Sequence, residues 1–406
     1  MADVAAQLEA LAQTLTTAAK GLREGTLSLQ GNEAERTKLT KAAKDVIGAL
    51  ELPHDTMMSW VPALTQITAV RLFNKWKVFE SIPLEPGATI SYKDLAAKVG
   101  ADVLLITRLA WVLVGTGILK QVGADQVAHT AKSPVYIGFN PITAMTRLIF
   151  DDNIPAFVAM VKYFDQFGLK EPTGKLDTVT AFSVNKLGQT AYDVMLGDPD
   201  RTANFMMAMT ALEHEYPYLG SYDLSWAVPS AVAEDNGKRP LVVDVGGGKG
   251  QTIKAVVKAT PGLPVSRCVV EDLPNVAEEA KTINDPELAG VTFLGMDFHD
   301  EQPVKGALVY IIRRCLHNYG DDECVLILQK ITNAMAPDSR LLIIEQVMTN
   351  PPNEYAAGFD IFMSVIGGKE RTYEIFEDIT SRAGLKILQL ARNPGTDAAL
   401  IECVKA

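Results

Sequence analysis

The sequence has few cysteines, and none of them form a CxxC pair. Cys268, Cys315, Cys324 and Cys403 lie in or beside apolar runs, so we expect buried, reduced thiols rather than a disulfide framework or a zinc site. Positive charge is also scarce. The net charge of -11 would repel a phosphate backbone, which argues against nucleic acid or an anionic membrane as the main partner. We expect a small-molecule ligand and a reducing, cytoplasmic location.

Long apolar runs are absent as well. The longest, residues 109–119, contains two glycines and a threonine and is far shorter than the ~20 residues that a membrane-spanning helix needs. The first fifteen residues carry two acids and apolar residues at helical spacing, a pattern unlike a signal peptide. No membrane segment is therefore expected. What is present is an ordinary globular composition, and 406 residues predict two or three domains.

The periodicity of apolar residues changes near residue 236. Before it the spacing is mostly helical, whereas after Arg239 short β-branched runs alternate with helical segments. The polar segment 233–240 is typical of a linker. We therefore expect a helical extension over residues 1–55, a helical domain over residues 56–236 and an α/β domain over residues 237–406.

Residues 88–123 have the pattern of a winged helix. Ser91 can cap one helix, Gly100 can end it, and a second apolar helix leads to a short wing. Such units often bind DNA, but the second helix offers only Arg108 as a cation, so a packing or dimerisation role is favoured. Amphipathic helices expected at residues 2–20 and 60–80 need an apolar partner, which predicts a homodimer.

The last part of the chain alternates strands with helices. This pattern predicts a doubly wound, mainly parallel sheet of seven strands, a Rossmann-like α/β fold, because parallel strands need crossover helices and bury both faces. The final two strands are separated by only a short loop, so one of them must run antiparallel. The predicted strands are 241–245, 266–272, 291–297, 307–312, 340–347, 385–390 and 399–404, and helices are expected after Lys249, at 321–335 and at 373–384.

The segment VVDVGGGKGQ, residues 242–251, follows a predicted strand and opens a helix. A glycine turn there lets backbone N–H groups approach a ligand closely. A nicotinamide fingerprint would need glycine at position 251, which is Gln251, so the loop reads G-x-G-x-G with Gly246, Gly248 and Gly250.

Acids end the next two predicted strands. Glu271 and Asp272 close the second strand, where a carboxylate can hold the ribose hydroxyls of a nucleoside. Asp297 and Phe298 close the third strand and could flank an adenine. The alternative is that the glycines only form a tight turn and the acids only cap helices; agreement among three strand ends favours a nucleoside site.

Six segments in order now identify a resemblance: LVVDVGGGKGQ, EDLPNV, GMDF, RRCLHNYGDDECVLIL, LLIIEQV and GGKERTYEIFEDITSRAG. Together they resemble the caffeate-type and fungal O-methyltransferases that use S-adenosylmethionine and carry a helical, winged-helix dimerisation domain in front. The resemblance implies His317 as general base, with Glu345 and Glu370 steadying it. Asn318 departs from the usual aspartate after this histidine. The implied cofactor-binding residues are Asp244, Gly246, Gly247, Gly248, Gly250, Asp272, Leu273, Asp297, Phe298 and Arg313.

The physical chemistry of the residues is compatible with these roles. A phenol-like hydroxyl has a pKa of ~10, so its deprotonation needs a base such as histidine. His317 follows a predicted strand and lies on the same sheet edge as the glycine loop. Each residue also has a structural interpretation: a loop histidine, a carboxylate reaching solvent at Glu345, and a helix-start acid at Glu370.

Other polar or soft residues give weaker signals. His129, in the predicted helical domain, and Asn318 are predicted to contact substrate at a cleft. Met206 and Met209 belong to a methionine-rich helix that could line a pliable substrate pocket, although such a stripe is more often core. His54, His214 and His299 have no acid or cysteine at ligand spacing, so no metal is expected.

Three classes of function remain open. The leading hypothesis is methylation of a hydroxyl on an aromatic or heteroaromatic secondary metabolite. The first alternative is a pericyclase or dehydratase of the same family that acts on a polyketide-derived pyridone and keeps S-adenosylmethionine bound without transferring its methyl group. The second is a cofactor-binding regulator without catalysis, against which the complete set of one histidine and two glutamates argues.

Overall fold

The computed structural model describes residues 2–30, 32–212, 216–220, 222–229, 239–393 and 396–406. These residues form two compact units, residues 1–150 and 151–406, which we call unit 1 and unit 2. His214 and most of the predicted linker at 233–240 lie outside the described residues.

Unit 1 consists mainly of helices. The ends follow local signals: the side chain of Ser91 accepts a hydrogen bond from the N–H of Asp94, and Gly100 ends the same helix with φ of 68°. The elements are α1 (Ala2–Glu24), α2 (Glu33–Leu50), α3 (Pro53–Lys75), α4 (Val78–Ser81), β1 (Ile90–Ser91), α5 (Tyr92–Val99), α6 (Val103–Gly115), β2 (Leu119–Val122), β3 (Gln126–His129) and α7 (Pro141–Leu148).

Helices α5 and α6 are followed by the antiparallel hairpin β2–β3, and β1 pairs with β3. These are the elements that a winged helix requires, and its assignment stays a prediction. Helix α3 exposes Met57, Trp60 and Leu64 over more than half of their surface. The predicted homodimer would cover such side chains and also stays a prediction. No described helix is long and apolar enough to cross a membrane.

Unit 2 alternates helices and strands around one sheet. Its elements are α8 (Ile154–Phe167), α9 (Val179–Ser183), α10 (Ala191–Met195), α11 (Pro199–Thr210), β4 (Val242–Val245), α12 (Gln251–Ala259), β5 (Cys268–Asp272), α13 (Pro274–Ile283), β6 (Thr292–Gly295), β7 (Val309–Arg313), α14 (Asp321–Ala334), β8 (Arg340–Met348), α15 (Glu354–Ser364), β9 (Arg371–Thr372), α16 (Tyr373–Arg382), β10 (Leu385–Arg392) and β11 (Ala398–Lys405).

The strand order is β10-β11-β8-β7-β4-β5-β6. The pairs among β8, β7, β4, β5 and β6 are parallel, and β11 runs antiparallel to both β8 and β10. The mainly parallel sheet and the single reversed strand are thus confirmed. The sheet has one strand more than the seven predicted, because the two-residue strand β9 pairs with the end of β8. Helix α15 has no counterpart in the sequence prediction.

The sheet is buried on both faces, as its β-branched strands require. Alternate residues of β7 point to opposite sides: Tyr310 packs in one apolar cluster with Leu328 and Phe376, and Ile311 packs in the other with Ile253. The central strands are consequently rigid supports for the loops that follow them.

The division at residue 150 differs from the predicted domain boundaries at residues 55 and 236. Helices α8 and α9 pack with the segment after α15, where Val179 and Val365 share an apolar cluster. The N–H and hydroxyl of Thr180 both donate to the carbonyl of Val365, each at 2.9 Å. These contacts tie the helices before the predicted linker to the sheet that follows it.

Strand β5 buries an acid, Glu271, one residue before its carboxyl end. Glu271 is fully buried, and its side chain accepts a hydrogen bond of 2.7 Å from the amide of Gln302. Burial raises the pKa of Glu271 to about 7. The folded state therefore holds this proton more tightly than the unfolded chain does, and the free energy of unfolding falls as pH rises through 7.

Replacement of Glu271 by glutamine keeps the carbonyl that Gln302 binds and removes the titration. Between about pH 5.5 and 8 the wild type should lose about 2 kcal/mol more stability than Glu271→Gln, since each unit of pKa shift corresponds to about 1.4 kcal/mol. Urea unfolding across this pH range measures the difference. Parallel stability profiles for the two proteins would contradict the assignment.

Candidate active site

The carboxyl ends of β4, β5, β6 and β7 lie along one edge of the sheet because the four strands are parallel. The loops after them carry most of the residues singled out in the sequence. In open α/β sheets ligands bind at this edge. The residues at this edge belong to unit 2.

The glycine loop turns sharply after β4. Gly246, Gly248 and Gly250 have φ values of 73°, 57° and 84°, a region that side chains rarely adopt. The N–H groups of Gly246 and Gly247 donate to the carbonyl of Glu271 at 2.8 and 2.9 Å. A Cβ on Gly247 would clash with the carboxylate of Asp244, and one on Gly246 would lie 2.7 Å from the sulfur of Cys315.

Asp244 lies beneath this loop. Burial raises its pKa to about 7, although a hydrogen bond with Thr252 and the charge of Arg313 oppose the rise. Its Oδ2 is buried without a hydrogen-bond partner among the described residues. Such an acceptor is costly to leave unsatisfied, so a donor from a ligand would stabilise it.

Asp272 joins the end of β5 to the glycine loop. Its two oxygens accept from the N–H of Gly248 and from that of Leu273, both at 2.8 Å. Burial raises the pKa of Asp272. A carboxylate has about four acceptor positions, so two remain for a ligand, and the side chain of Leu273 is nearly half exposed beside them.

Asp297 and Phe298 follow β6 and contact His299. The Nδ1 of His299 lies 2.6 Å from Asp297 Oδ1, and its ring packs against Phe298. Its Nε2 lies 3.0 Å from Glu323 without hydrogen-bond geometry. A turn and a neighbouring helix thus bring two acids to His299, which has none at metal-ligand spacing in the sequence. The exposed His54 also contacts an acid, Asp55.

Arg313 ends β7 and binds a segment that precedes β4. Its guanidinium donates to the carbonyl of Tyr216 and lies over the ring of Tyr218, with 4.2 Å to the ring centroid. Burial lowers the pKa of Arg313, and its Nε is buried without a partner among the described residues.

His317 lies in a short 3₁₀ helix, Leu316–Asn318, directly after β7. The fully buried Arg371 holds this turn, donating to the carbonyls of Leu316 and Tyr319 and pairing with Asp321 at 2.8 Å. Arg371 was missed in the sequence, where only its position next to Glu370 could have marked it.

Two carboxylates flank the imidazole of His317. Its Nδ1 lies 3.2 Å from Glu370 Oε1 and 3.8 Å from Glu345 Oε2, which is too long for a hydrogen bond. The other oxygen of Glu345 accepts from the N–H groups of Cys315 and Leu316 at 2.9 and 2.8 Å. Burial alone would lower the pKa of His317, but the charge of Glu345 and the hydrogen bond with Glu370 outweigh it and raise the pKa.

Two glycines bring Glu370 close to His317. A Cβ on Gly368 would clash with the carbonyl of His317, and one on Gly367 would clash with that of Gly174. The N–H of Lys369 donates to the same His317 carbonyl at 2.9 Å. The backbone of the GGKE segment, residues 367–370, therefore packs directly against the backbone of His317, and this contact sets the position of the Glu370 carboxylate.

Asn318 has a partner that the sequence did not reveal. The hydroxyl of Tyr192, from α10, donates to Asn318 Oδ1 at 2.8 Å. Burial raises the pKa of Tyr192 to about 12, so the phenol stays protonated. Tyr192 is far from Asn318 in sequence, and no motif marks it.

The remaining predicted substrate contacts are not gathered by the described geometry. Met206 and Met209 lie on α11, where Met206 is half exposed and Met209 is partly buried. His129 belongs to unit 1, and its Nδ1 lies 2.8 Å from the hydroxyl of Ser133. Their roles in substrate binding stay predictions.

The side chains of His317, Glu345 and Glu370 are also close enough together to hold a metal ion. His317, Glu345 and Glu370 offer ligand atoms within 4.8 Å of one another. However, one Glu345 oxygen is already held by two backbone N–H groups, and the imidazole already contacts Glu370. These contacts favour pairing of the carboxylates with an imidazolium, and the absence of a metal stays a prediction.

Comparison with known proteins identifies the family to which the chain belongs. A model of the O-methyltransferase domain matches residues 184–386, half of the chain. The methyltransferase cfoD of Aspergillus candidus is 34% identical over 411 residues, covering 98% of this chain and 99% of cfoD. The chain therefore belongs to the S-adenosylmethionine-dependent O-methyltransferase family.

Solved structures share the fold over almost the whole length. OxaC in complex with SAH and oxaline matches with a TM-score of 0.81 at 22% identity, covering 98% of this chain and all of OxaC. A structure described as a pericyclic reaction enzyme matches with a TM-score of 0.78 at 23% identity, covering 98% of this chain and all of that protein. One fold thus accommodates both descriptions.

A methyl group on Gly247 tests the glycine loop. Gly247→Ala should weaken binding of S-adenosylhomocysteine roughly 10-fold to 100-fold, because overpacking against Asp244 costs about 1–3 kcal/mol. Titration calorimetry measures the affinity. Gly358→Ala is the matched control, since a Cβ at that helical position meets nothing within 4 Å. Equal affinities for wild type and Gly247→Ala would contradict the placement of the cofactor.

Proposed function

We propose that the protein transfers a methyl group from S-adenosylmethionine to a hydroxyl of an aromatic or heteroaromatic secondary metabolite, with His317 as general base. The observation that carries this proposal is the buried imidazole held between Glu345 and Glu370 at the sheet edge that bears the glycine loop. Such a group of side chains can remove the proton from a hydroxyl that accepts a methyl group.

The residues at the sheet edge fit the cofactor. The glycines and Asp244 would hold the methionine part, Asp272 and Leu273 the ribose, Asp297 and Phe298 the adenine, and Arg313 a further part of the molecule. The unpartnered Oδ2 of Asp244 and the missing Cβ atoms of the loop support this assignment. When bound, S-adenosylmethionine supplies an electrophilic methyl group on a positively charged sulfur.

His317 has one nitrogen committed and one available. Its Nδ1 faces Glu370, and no described residue forms a hydrogen bond with its Nε2. An acceptor hydroxyl at Nε2 would lose its proton to the imidazole as the oxygen attacks. A neutral imidazole with Nδ1–H directed at Glu370 has the tautomer that this step requires.

The two glutamates stabilise the charge that then forms. Glu370 accepts the Nδ1 hydrogen bond, while Glu345 contributes its charge from 3.8 Å and is itself held by two backbone N–H groups. Both are buried, so their charges act in a medium that screens them little. They therefore favour the imidazolium over the neutral ring.

A second candidate is a pericyclic or dehydrative step on a polyketide-derived pyridone with the cofactor retained. The Tyr192–Asn318 hydrogen bond favours it, because this altered neighbour of His317 changes the polar contacts beside the base. His317, Glu345 and Glu370 favour transfer, since a base that takes a proton is needed when an oxygen is methylated.

Incubation with methyl-labelled S-adenosylmethionine and a panel of phenols, pyridones and enols separates the candidates. We expect label in the product and a rate that falls roughly 10² to 10⁴-fold in His317→Ala, the usual contribution of a general base. Mass spectrometry of the product and initial rates measure both.

An unlabelled, isomerised product would support the pericyclic candidate instead, and unchanged turnover in His317→Ala would remove His317 as the base. Dialysis against EDTA is the control for a metal at the same side chains: we expect no loss of rate. A rate that collapses on chelation and returns with zinc or magnesium would contradict the base assignment.

The pH profile should report the charge of Glu370. Because only neutral His317 accepts the proton, kcat/KM should rise with pH through the pKa of His317, which lies above its usual value. Glu370→Gln removes a negative charge and should move this limb to lower pH. If kcat/KM rose at the same pH in both proteins, the pairing of His317 with Glu370 would be ruled out.

A further inference from the structure

Arg314, next to the site, adopts a strained backbone conformation. Its φ is 52°, in the left-handed region that arginine rarely enters and that is found at functional sites in proteins. Its N–H donates to the carbonyl of Ile344 at 3.0 Å, so the chain is held in this conformation between β7 and β8.

The guanidinium of Arg314 is held in place, but it forms no ion pair with a described residue. It lies over the ring of Tyr216, with 4.6 Å to the ring centroid, and the Tyr216 hydroxyl donates to Gln346 at 2.8 Å. Among the described residues no carboxylate forms an ion pair with Arg314, and its Nε is buried without a partner. A partly buried cation without a paired carboxylate among the described residues is stabilised by an anionic ligand.

Arg314 lies next to the reacting groups, because the following residue, Cys315, donates its N–H to the Glu345 carboxylate that faces His317. It lowers the pKa of His317, against the rise caused by Glu345 and Glu370, and it lowers those of Glu345 and Tyr192 against the larger rise that burial causes. It therefore acts on the same small volume as the imidazole. An anionic oxygen bound near His317 would lie within its field.

Asn318, the residue after His317, adds a neutral donor. Because Oδ1 accepts from Tyr192, its amide N–H groups point elsewhere, and no described residue accepts from them. An aspartate at this position would instead add a third carboxylate to Glu345 and Glu370. Arg314 and Asn318, which precede and follow His317 in the chain, therefore supply hydrogen-bond donors and no further carboxylate.

We propose that Arg314 and Asn318 select an acceptor with two conjugated oxygens, an enolised β-dicarbonyl or a hydroxyl beside a carbonyl, bound as its anion. The inference rests on the proposed function, since it concerns the acceptor of that site. The reactive O–H gives its proton to His317 Nε2, and the resulting charge is shared with the second oxygen, which Arg314 and the Asn318 amide hold. A simple phenol has no second oxygen and uses neither donor.

Binding to the cofactor-loaded protein tests this without turnover. Dimedone, an enolised β-diketone that is anionic at neutral pH, and its neutral methyl enol ether form a matched pair of probes in the presence of S-adenosylhomocysteine. We expect Arg314→Gln to weaken the binding of dimedone about 10-fold, which corresponds to the loss of one charged hydrogen bond. The affinity for the enol ether should change less than about twofold. Arg314→Lys should retain most of the affinity, and Asn318→Asp should weaken dimedone at least about 10-fold.

Arg382→Gln is the control, because Arg382 is an exposed arginine paired with Asp322 and Asp378. The proposal is overturned if wild type does not bind dimedone, or if Arg314→Gln loses both probes equally. It is also overturned if Arg314→Gln loses S-adenosylhomocysteine instead, since the cation then serves the cofactor carboxylate. If the dimedone pattern holds but no acceptor is methylated, the proposed methyl transfer fails while the ligand class stands.

Discussion

The site depends on how the chain accommodates two buried carboxylates beside a buried imidazole. Glu345 ends a strand that is otherwise apolar, where an unpaired charge would cost several kcal/mol. Backbone N–H groups of Cys315 and Leu316 hold one oxygen, and the other faces His317. The same backbone turn carries His317, so the groups that stabilise Glu345 also place the imidazole beside it.

The parallel sheet gathers the rest of the site at one edge. Its strands end together, which brings Asp244, Asp272 and His317 to neighbouring loops although they are far apart in sequence. The glycine loop leaves room above Asp244, and Arg371 holds the turn that contains His317. Rigid strands and buried anchors limit how far these groups can move, which is the requirement for a pre-organised active site.

Sequence patterns predicted the parts that depend on local order. The parallel strands, the reversed strand β11 and the loop after β4 follow from periodicity and glycine placement, and the resemblance pointed to His317, Glu345 and Glu370, whose side chains the structure brings into contact. Long-range partners had no such signal. Tyr192 reaches Asn318 across 126 residues, and Gln302 reaches Glu271 across 31. Helix α15, which begins after the N-cap Asn353, was also missed.

The central claim concerns a single nitrogen atom and its proton. Nitrogen-15 NMR of histidine-labelled protein, with His317→Ala to assign the signal among five histidines, reports the tautomer and pKa of His317 directly. The account predicts a neutral ring protonated at Nδ1, toward Glu370, and a pKa above that of free histidine. A ring protonated at Nε2, or a pKa below 6.5, would contradict it.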